Sequence, residues 1–435
     1  MDYKREKIAI IGLGYVGLPL AVAFSKEREV LAFDIDLERI NSLSNGVDET
    51  LEVERNDLRG NVSLVFSNDE EDLSDCGIFI ITVPTPIDNH NKPDLRPLVI
   101  ASAMVGKYLK KNSLVIFEST VYPGVTEEIC VPVLEKESGL IFNSEFYCGY
   151  SPERINPGDK NRRLSNITKI VSGSTGEITD LVDELYSSII EAGTHKVSSI
   201  KVAEAAKVIE NTQRDLNIAL INELSMLFNK LGLNTNEILE ASETKWNFIP
   251  FRPGLVGGHC IGIDPYYLTY KAEEIGFNTE LILAGRKIND SMANFVVEEV
   301  IKKLLDNSLS VKNSEFLILG FSFKENCRDI RNTKVNDIVK LLESKNVKVS
   351  VYDPWIDRKK ARGLYNINFL ETLPTTGTYS AVIIAVAHED FKQLEIGQVR
   401  GLLKKNGIVY DIKSIFPPSR AQTRAKHTIY YFDSR

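Results

Sequence analysis

One cysteine in the 435-residue chain lies in a setting that could support covalent chemistry. Cys260 stands in the segment Gly257-Gly258-His259-Cys260-Ile261-Gly262-Ile263-Asp264. The glycines permit close approach of a substrate, and a cysteine near a helix N-terminus forms thiolate more readily. If the chain turns helical after Cys260, Asp264 lies over the same face four positions later. The segment indicates a nucleophile, with a buried structural thiol as the alternative.

The other cysteines show no spacing that indicates chemistry. No CxxC pair and no Cys/His cluster with zinc spacing occurs, so no metal site is predicted. We expect them to be free and mostly buried thiols of a reducing cytoplasm. They are Cys76, Cys130, Cys148 and Cys327.

A lysine and an asparagine share one face of a predicted long helix. Lys207 and Asn211 are four residues apart, which places both side chains on the same side. Such a pair is usually solvated. Near a bound aldehyde or alkoxide, however, the ammonium and amide groups would stabilise developing negative charge.

The chain begins with a pattern typical of dinucleotide binding. Gly12-Leu13-Gly14-Tyr15-Val16-Gly17 follows the apolar run Ile8–Ile11 and precedes a helical pattern. The three glycines permit a tight turn, close approach of a pyrophosphate and close helix–strand packing. Asp34 ends the second predicted strand, where a carboxylate accepts hydrogen bonds from a ribose diol and repels a 2′-phosphate. The pattern therefore predicts NAD rather than NADP.

Two later turns are expected at the same sheet edge. The segments Thr82-Val83-Pro84-Thr85 and Glu118-Ser119-Thr120 each follow an apolar run. Parallel strands place their carboxyl ends together, so these hydroxyls are candidate contacts to the cofactor. An ordinary loop is the alternative.

These residues need elements to hold them, and the apolar pattern predicts an α/β fold. Strands are expected in the following segments: Ile8–Ile11, Val30–Phe33, Leu64–Phe66, Ile78–Val83, Leu114–Phe117, Ile167–Val171, Phe316–Leu319, Val347–Tyr352, Ala381–Ala387 and Ile408–Tyr410. Continuously apolar strands separated by helices indicate parallel sheets covered on both faces. We predict two Rossmann-like, doubly wound domains, residues 1–197 and 309–435.

Between them, residues 198–308 are predicted to form a helical domain. It contains the long central helix, a pattern from Ile200 to Leu231 without Gly or Pro. A helix of that length favours a spine between domains or a dimer contact. The residues after Pro417-Pro418 are expected to form a polar tail.

Composition excludes several classes of protein. Apolar residues make up 43% and charged residues 26% of the chain, and the net charge is −8. This is ordinary globular usage, and the acidic balance argues against nucleic acid and anionic membranes as partners. No apolar run reaches the length of a membrane-spanning helix and the start lacks a signal-peptide pattern, so a cytoplasmic protein is expected.

Taken together, the motifs resemble the UDP-glucose/GDP-mannose dehydrogenase family from about Lys7 to Phe416. They include Gly320-Phe-Ser-Phe-Lys324, Asp329-Ile-Arg331 and Tyr410-Asp-Ile-Lys413. Within the family, the chain is most similar to bacterial UDP-N-acetylhexosamine 6-dehydrogenases of capsule and O-antigen synthesis. The segments that carry this closer likeness are Tyr150–Asp159, Lys245–Gly254, Asp264–Leu268 and Gly320–Cys327.

The resemblance implies a four-electron oxidation of a sugar C6 hydroxyl to a carboxylate, with two NAD in sequence. Cys260 would be the nucleophile, and Lys207 and Asn211 would stabilise oxyanions. Asp264 would position or activate water, and Glu153 is a candidate acid/base. UDP-glucose dehydrogenases carry a second glutamate where this chain has Pro157, which is consistent with room for a 2-acetamido group. UDP-GlcNAc is the first expected substrate and UDP-GalNAc the second.

The resemblance also assigns binding residues and a homodimer. The second α/β domain lacks a GxGxxG pattern and is expected to bind UDP, and Arg331 is expected to bind the phosphates of the cofactor. Arg252 lies in a loop that helps close the site in the family. The expected substrate-binding residues are Arg154, Arg252, Gly257, Gly258, Lys324 and Lys413.

Other interpretations stay open at this point. UDP-ManNAc or UDP-glucose could be the substrate, or the chain could be a single-step hydroxyacid dehydrogenase. A non-catalytic NAD-binding protein is the alternative from another class. Counting NADH per UDP-sugar separates two oxidations, one and none.

Overall fold

The computed structural model describes residue 3 and residues 6–88, 90–155, 162–416 and 429–431. Two compact units divide the chain. The first comprises Met1–Asn211 with Tyr266–Asn278, and the second comprises Thr212–Pro265 with Thr279–Arg435. Residues of the predicted helical domain occur in both units, and the three-domain division stays a prediction.

The first unit is built on an eight-stranded sheet with the order β3-β2-β1-β4-β5-β6-β7-β8. Its first six strands follow the Rossmann order. The pairs are parallel except β6 with β7, which is antiparallel. The strands are β1 Ile8–Ile11, β2 Val30–Phe33, β3 Leu64–Ser67, β4 Ile78–Ile81, β5 Ser113–Phe117, β6 Phe146–Tyr150, β7 Lys169–Gly173 and β8 Thr194–Lys196.

Helices connect these strands. They are α1 Gly17–Ser25, α2 Leu37–Ser44, α3 Arg55–Leu58, α4 Arg96–Tyr108, α5 Val131–Ser138 and α6 Gly176–Ser187. Every residue of β1, β2, β4 and β5 is buried, as expected for strands covered on both faces. The parallel, doubly wound sheet that the apolar runs predict is therefore confirmed.

The predicted long helix is confirmed at both ends, as α7 Ile200–Leu231. It is followed by α8 Thr235–Glu243, α9 Asp264–Glu274 and α10 Glu280–Asp306. The boundary between the two units falls within α7 and again within α9.

The second unit contains a six-stranded sheet with the order β11-β10-β9-β12-β13-β14, in which all pairs are parallel. The strands are β9 Glu315–Leu319, β10 Lys348–Tyr352, β11 Asn368–Phe369, β12 Tyr379–Ile384, β13 Leu403–Asp411 and β14 Ile429–Tyr431. The helices are α11 Lys334–Ser344, α12 Arg358–Leu364, α13 Glu389–Lys392 and α14 Ile396–Gly401. Apolar side chains of α10, α11 and the sheet form one buried core. The second Rossmann-like sheet is thus confirmed.

Four details differ from the prediction. Three strands are not revealed by the apolar pattern: Phe146–Tyr150, Thr194–Lys196 and Asn368–Phe369. The prediction of a polar tail is wrong for Ile429–Tyr431, because these residues form β14 and pair with β13. The rest of that segment, like Pro157, lies outside the described residues.

Within the described ranges, the helices that are long enough to cross a bilayer lack the necessary run of apolar residues.

Candidate active site

The glycine loop has the geometry that a dinucleotide needs. Gly12 has a φ of +94°, a conformation that other residues rarely adopt. A Cβ on Gly17 would overlap the Gly12 carbonyl oxygen and the Thr82 hydroxyl, whereas a Cβ on Gly14 would meet no atom within 4 Å. The loop therefore closes tightly at Gly12 and Gly17 and leaves the backbone at Gly14 open to a ligand.

The loop leads directly into the start of α1. Tyr15 and Val16 are half-buried, and Val16 is the residue before the first helical turn, with no side-chain cap. Free N–H groups of the first turn and the positive end of the helix dipole favour an anion there.

Asp34 follows β2 and stays half-buried. Its carboxylate accepts hydrogen bonds from Leu13 N at 2.7 Å and from Asp36 N at 2.9 Å. These bonds fix the carboxylate beside the glycine loop and leave it acceptor capacity for a diol. The residues present fit the adenosine end of NAD.

The hydroxyls of the two later turns are used largely to hold these turns together. Thr82 donates to Gly12 O at 2.7 Å, Thr85 to Thr120 O at 2.6 Å and Ser119 to Val83 O at 2.7 Å. Pro84 is exposed. The turns after β1, β4 and β5 thus form one bonded edge, and direct contact of their side chains with the cofactor stays a prediction.

A buried group of charges, which sequence reasoning missed, lies beside this edge. Lys169 Nζ is 2.5 Å from Glu118 Oε2 and 4.0 Å from Glu153 Oε2, and Tyr186 donates to Glu118 Oε1 at 2.5 Å. Burial raises the pKa of Glu118, and Lys169 opposes that rise. A lysine at the start of an apolar strand is the signal that could have pointed to this pair.

Glu153 lies at the edge of that group. One carboxylate oxygen accepts from Ile155 N, and the other, Oε2, is buried without a hydrogen-bond partner. The Glu153 carbonyl accepts from Lys207 Nζ at 2.6 Å. An orphaned buried carboxylate oxygen is costly unless a ligand or water satisfies it, so the geometry fits a functional acid/base.

The structure buries the Lys207/Asn211 pair of α7. The two residues are only 8% and 6% exposed, so they are not the solvated pair that a helix usually carries. Arg154 turns to the same helix, where its Nη2 lies 2.5 Å from Glu210 Oε1. Its expected contact with substrate stays a prediction.

Another buried residue of α7 fixes the loop that follows Thr120. Glu204 accepts hydrogen bonds from Gly124 N at 2.6 Å and Thr126 N at 3.0 Å. Burial raises the pKa of Glu204 to about 7. The sequence gives little sign of this role, because the carboxylate bonds to backbone almost eighty residues away.

In the second unit, a hydrogen-bonded turn follows Cys260 and leads into a helix. The Cys260 carbonyl accepts from Ile263 N at 3.0 Å and Asp264 N at 2.8 Å, and α9 then begins at Asp264. Asp264 is only 2% exposed. The carboxylate and the cysteine are therefore joined by one helical turn.

The two glycines before Cys260 have a packing role. A Cβ on Gly257 would lie 2.8 Å from Asn332 O, and one on Gly258 would lie 2.6 Å from the Phe323 ring. Gly258 N also donates to Asn332 O at 3.3 Å. The atoms that approach these glycines closely are therefore those of Phe323 and Asn332 of the same chain. A contact of the glycines with substrate stays a prediction.

An amide side chain of α7 binds the segment that precedes Gly257 and Cys260. Asn222 donates to Gly254 O at 3.0 Å and accepts from Gly254 N at 2.8 Å. Its amide also donates to Asn289 of α10 at 2.8 Å. Gly254 is thus bonded to α7 through Asn222, and α10 supports Asn222 through Asn289.

A narrow pocket of the second unit brings together several predicted substrate residues. Its lining includes Gly257, Lys324 and Lys413, and it adds Lys334, which sequence reasoning missed. Lys334 pairs with Asp290 at 2.9 Å and with Asp337 at 3.3 Å, so Lys324 and Lys413 are the lysines that favour a phosphate-bearing ligand. The buried Asp411 holds the backbone around Lys413, because its carboxylate accepts hydrogen bonds from Lys413 N at 3.1 Å and from Phe416 N at 3.0 Å.

The two predicted arginines of the second unit are held by carboxylates. Arg331 Nη2 lies 2.6 Å from Asp329 Oδ2, and Arg252 pairs with Glu243. Both side chains stay nearly half exposed, so their binding roles stay predictions. The described residues contain no group of three His, Cys, Asp or Glu that could hold a metal ion.

Comparison with known proteins identifies the family of the chain over most of its length. Profiles of the UDP-glucose/GDP-mannose dehydrogenase family match three segments: the NAD binding domain at residues 6–190, the central domain at 201–291 and the UDP binding domain at 317–418.

Full-length relatives agree with the profiles. The chain is 56% identical to UDP-N-acetyl-D-glucosamine 6-dehydrogenase of Pseudomonas aeruginosa over 97% of this chain and 100% of that protein. It is 53% identical to Protein CapL of Staphylococcus aureus over 94% and 96%. The solved UDP-D-ManNAc dehydrogenase of Pyrococcus horikoshii superposes with a TM-score of 0.89 at 29% identity, over 98% of this chain and 99% of that one. The chain therefore belongs to the UDP-glucose/GDP-mannose dehydrogenase family and is an NAD-dependent nucleotide-sugar dehydrogenase.

Proposed function

We propose that the chain oxidises the C6 hydroxyl of UDP-N-acetyl-D-glucosamine to a carboxylate through a covalent Cys260 adduct. The substrate follows from the 56% identical relative, whose name specifies that sugar. UDP-GalNAc is the second candidate. The single Glu153, with Pro157 where UDP-glucose dehydrogenases carry a second glutamate, favours an N-acetylated sugar.

The observation that carries the covalent step is the exposure of Cys260. It is half-buried, whereas the other four cysteines are buried. Burial raises the pKa of Cys76 to about 11 and that of Cys130 to about 12, and it also raises the pKa of Cys148. Those thiols are poor nucleophiles at neutral pH, so Cys260 is the cysteine that can react.

The second oxidation needs a nucleophile because the trigonal carbon of an aldehyde does not readily release its hydrogen as hydride, whereas the tetrahedral carbon of an adduct does. The C6 alcohol first loses a hydride and a proton to give the aldehyde. The Cys260 sulfur then bonds to the aldehyde carbon, and the resulting thiohemiacetal loses a second hydride and proton to give a thioester. Water cleaves the C–S bond, which releases the carboxylate and returns the thiol. NAD, when bound, accepts one hydride in each oxidation.

The remaining residues have roles in charge and proton handling. Lys207 and Asn211 stabilise negative charge on the C6 oxygen. Asp264 positions or activates the hydrolytic water, and Glu153 assists as an acid/base. The lysine pocket, with Lys324 and Lys413, binds the diphosphate.

The stoichiometry of NADH per sugar tests this proposal. We expect two NADH for each UDP-GlcNAc, with lower turnover for UDP-GalNAc, UDP-ManNAc and UDP-glucose. Cys260→Ala should form no acid, and Cys76→Ala should serve as the matched control that still gives two NADH. A Cys260→Ala protein that releases two NADH per sugar would disprove the covalent step.

We also propose that the chain is a cytoplasmic homodimer that supplies surface polysaccharide synthesis. CapL, by its name, is consistent with a capsule role. Leu220, Leu227 and Leu231 of α7 lie seven and four residues apart and are 53%, 48% and 58% exposed, which gives one face of the helix an apolar stripe suited to a second copy. Leu227→Lys should convert the dimer to a monomer in light-scattering measurements, and an unchanged mass would argue against this face.

A further inference from the structure

A histidine beside the proposed nucleophile makes three contacts that the mechanism above does not use. His259 directly precedes Cys260 in the chain, and the thiol is one of the groups that raise the pKa of its imidazole. His259 Nδ1 also lies 3.3 Å from Asp329 Oδ2 and 3.3 Å from Arg331 Nη2. All four residues belong to the second unit.

Asp329 is a fixed anion in this cluster. Its side chain is 4% exposed, and Arg331 donates to it at 2.6 Å through Nη2 and at 3.0 Å through Nε. Burial raises the pKa of Asp329, but hydrogen bonds from His259 and Arg331 outweigh it and hold the pKa well below its usual value. The carboxylate is therefore ionised at neutral pH and can hold an imidazolium.

The ring is also held by packing. The edge of His259 meets Phe323 at a centroid distance of 5.9 Å and an angle of 77°. Gly258, with a φ of +82°, lets the backbone pass beside that same phenylalanine. Only 28% of the histidine side chain is exposed, so its position is defined on several sides.

We propose that His259 is a catalytic residue that takes the proton of the Cys260 thiol, and that Asp329 is the residue that positions and charges its imidazole. The S–H bond breaks and an N–H bond forms, which leaves a thiolate–imidazolium pair ready to add to the aldehyde. When water cleaves the thioester, the departing sulfur regains this pair. A nucleophile, a base and an orienting carboxylate in sequence form the arrangement that activates nucleophiles in many enzymes.

The charges around the ring agree in sign with this role. Burial lowers the pKa of His259, but the hydrogen bonds to Asp329 and Cys260 outweigh it, so the pKa rises to about 9 despite the opposing charge of Arg331. An imidazolium at neutral pH stabilises a neighbouring thiolate.

The test measures alkylation of Cys260 by iodoacetamide in the full chain between pH 6 and pH 9.5, with the modified peptide quantified by mass spectrometry. An ordinary thiol is roughly 1% ionised two units below a pKa of about 8.5. We therefore expect His259→Asn to slow alkylation at pH 6.5 at least about tenfold, with recovery toward the wild-type rate at pH 9.5. Asp329→Asn should slow it in the same direction by a smaller factor, and His195→Asn, which removes an exposed histidine, should leave it unchanged.

Every outcome decides the proposal. A wild-type rate for His259→Asn at pH 6.5 would overturn it, and so would slow alkylation that persists at pH 9.5, which would indicate a merely structural role. Alkylation needs neither sugar nor NAD, although the activation rests on the proposed covalent function. A chain that makes no acid but whose Cys260 reactivity depends on His259 would overturn the proposed function and leave the activation intact.

Discussion

The two Rossmann-like sheets have the same backbone geometry at the turn that follows their first strand. Gly12 follows β1 and Gly320 follows β9, with φ values of +94° and +91°. Gly12 N donates to Phe33 O, and Gly320 N donates to Tyr352 O, both at 2.8 Å. In each sheet an aspartate then follows the second strand and accepts an N–H of the glycine turn.

The sheets differ in what surrounds those aspartates. Asp34 binds Leu13 N and stays half exposed, beside the open backbone of Gly14. Asp353 binds Phe321 N at 2.7 Å and Ser322 N at 3.0 Å, and His388 Nε2 lies 3.1 Å away. Both members of the Asp353–His388 pair are fully buried.

Strand order alone therefore does not make a dinucleotide site. In the first sheet α1 begins five residues after Gly12, and its N-terminus is free for an anion. In the second sheet α11 begins only at Lys334, and the intervening loop carries Asp329 and one of the pocket lysines, Lys324. A ribose can reach the first carboxylate, whereas the second has become part of the core.

The strongest test of this contrast is the third glycine of the first sheet. Gly17→Ala places a methyl group against the Gly12 carbonyl and the Thr82 hydroxyl, and neither can withdraw without disturbing a strand end. We expect a loss of about 3 kcal/mol in stability, at the upper end of overpacking effects. The NADH affinity should fall with it. Thermal unfolding and NADH fluorescence titration measure both.

Gly14→Ala provides the matched control. Its methyl group would meet no atom within 4 Å, so the melting temperature should change little. NADH should nevertheless bind at least about tenfold more weakly, since the methyl group occupies the path of the pyrophosphate. Wild-type affinity in Gly14→Ala would contradict the assignment of this loop to the cofactor.

In the second sheet, the aspartate should matter for stability and not for the cofactor. Hydrogen bonds from His388, Phe321 and Ser322 hold the pKa of Asp353 below its usual value although burial raises it. Asp353→Asn should cost about 3 kcal/mol, because it replaces a buried carboxylate that accepts hydrogen bonds from Phe321, Ser322 and His388. Urea unfolding measures the loss, and the NADH dissociation constant should stay as in the wild type. A weakened NADH affinity would show that the two sheets are not as distinct in role as their surroundings indicate.

The sequence predicts much of this fold because buried parallel strands are continuously apolar. The bounds of β1, β2 and α7 are confirmed to the residue. In contrast, Phe146–Tyr150 includes Gly149, where a Cβ would lie 2.9 Å from the Val182 side chain. Close packing therefore requires glycine at this position, and glycine weakens the apolar pattern by which a strand is predicted. Ile429–Tyr431 forms a strand by pairing with the edge strand β13. The local sequence pattern carries no information about such a distant partner.

The site is less predictable than the fold. The glycine loop and the Cys260 segment are local patterns, so the sequence reveals them. Lys169 meets Glu118 across fifty-one positions, and His259 meets Asp329 across seventy. Such pairs come from the folding of distant segments together and leave no spacing to detect.

Each region also has a buried carboxyl that should link its stability to pH. Burial raises the pKa of Glu204 from 4.5 to about 7 and that of Asp411 from 3.8 to about 6. Both folded-state values exceed the unfolded ones, so the stabilising contribution is full below the unfolded pKa and is lost as pH rises through the folded one. For Glu204 the loss spans about pH 4.5 to 7 and is on the order of 3 kcal/mol.

Calorimetry at intervals between pH 4.5 and pH 8 measures this dependence. Glu204→Gln should flatten the part of the slope that extends to pH 7, and Asp411→Asn should flatten the part that ends near pH 6. Either variant will be less stable overall, because an amide supplies only one acceptor oxygen in place of two. A slope unchanged in Glu204→Gln would assign the pH dependence to other groups.

The smallest effect should come from Asp34, the half-buried aspartate of the first sheet, and it should change the selectivity between NADH and NADPH. Asp34→Asn keeps an acceptor for the Leu13 N–H but removes the negative charge that repels a 2′-phosphate. We expect the NADH affinity to fall about tenfold, or roughly 1.4 kcal/mol, as for a weakened hydrogen bond to a charged group. NADPH affinity should rise, and the melting temperature should stay within a few degrees of the wild type because the side chain is half exposed. Paired titrations with NADH and NADPH decide the point: equal losses for both would mean that Asp34 only braces the glycine turn, as Asp353 does in the second sheet.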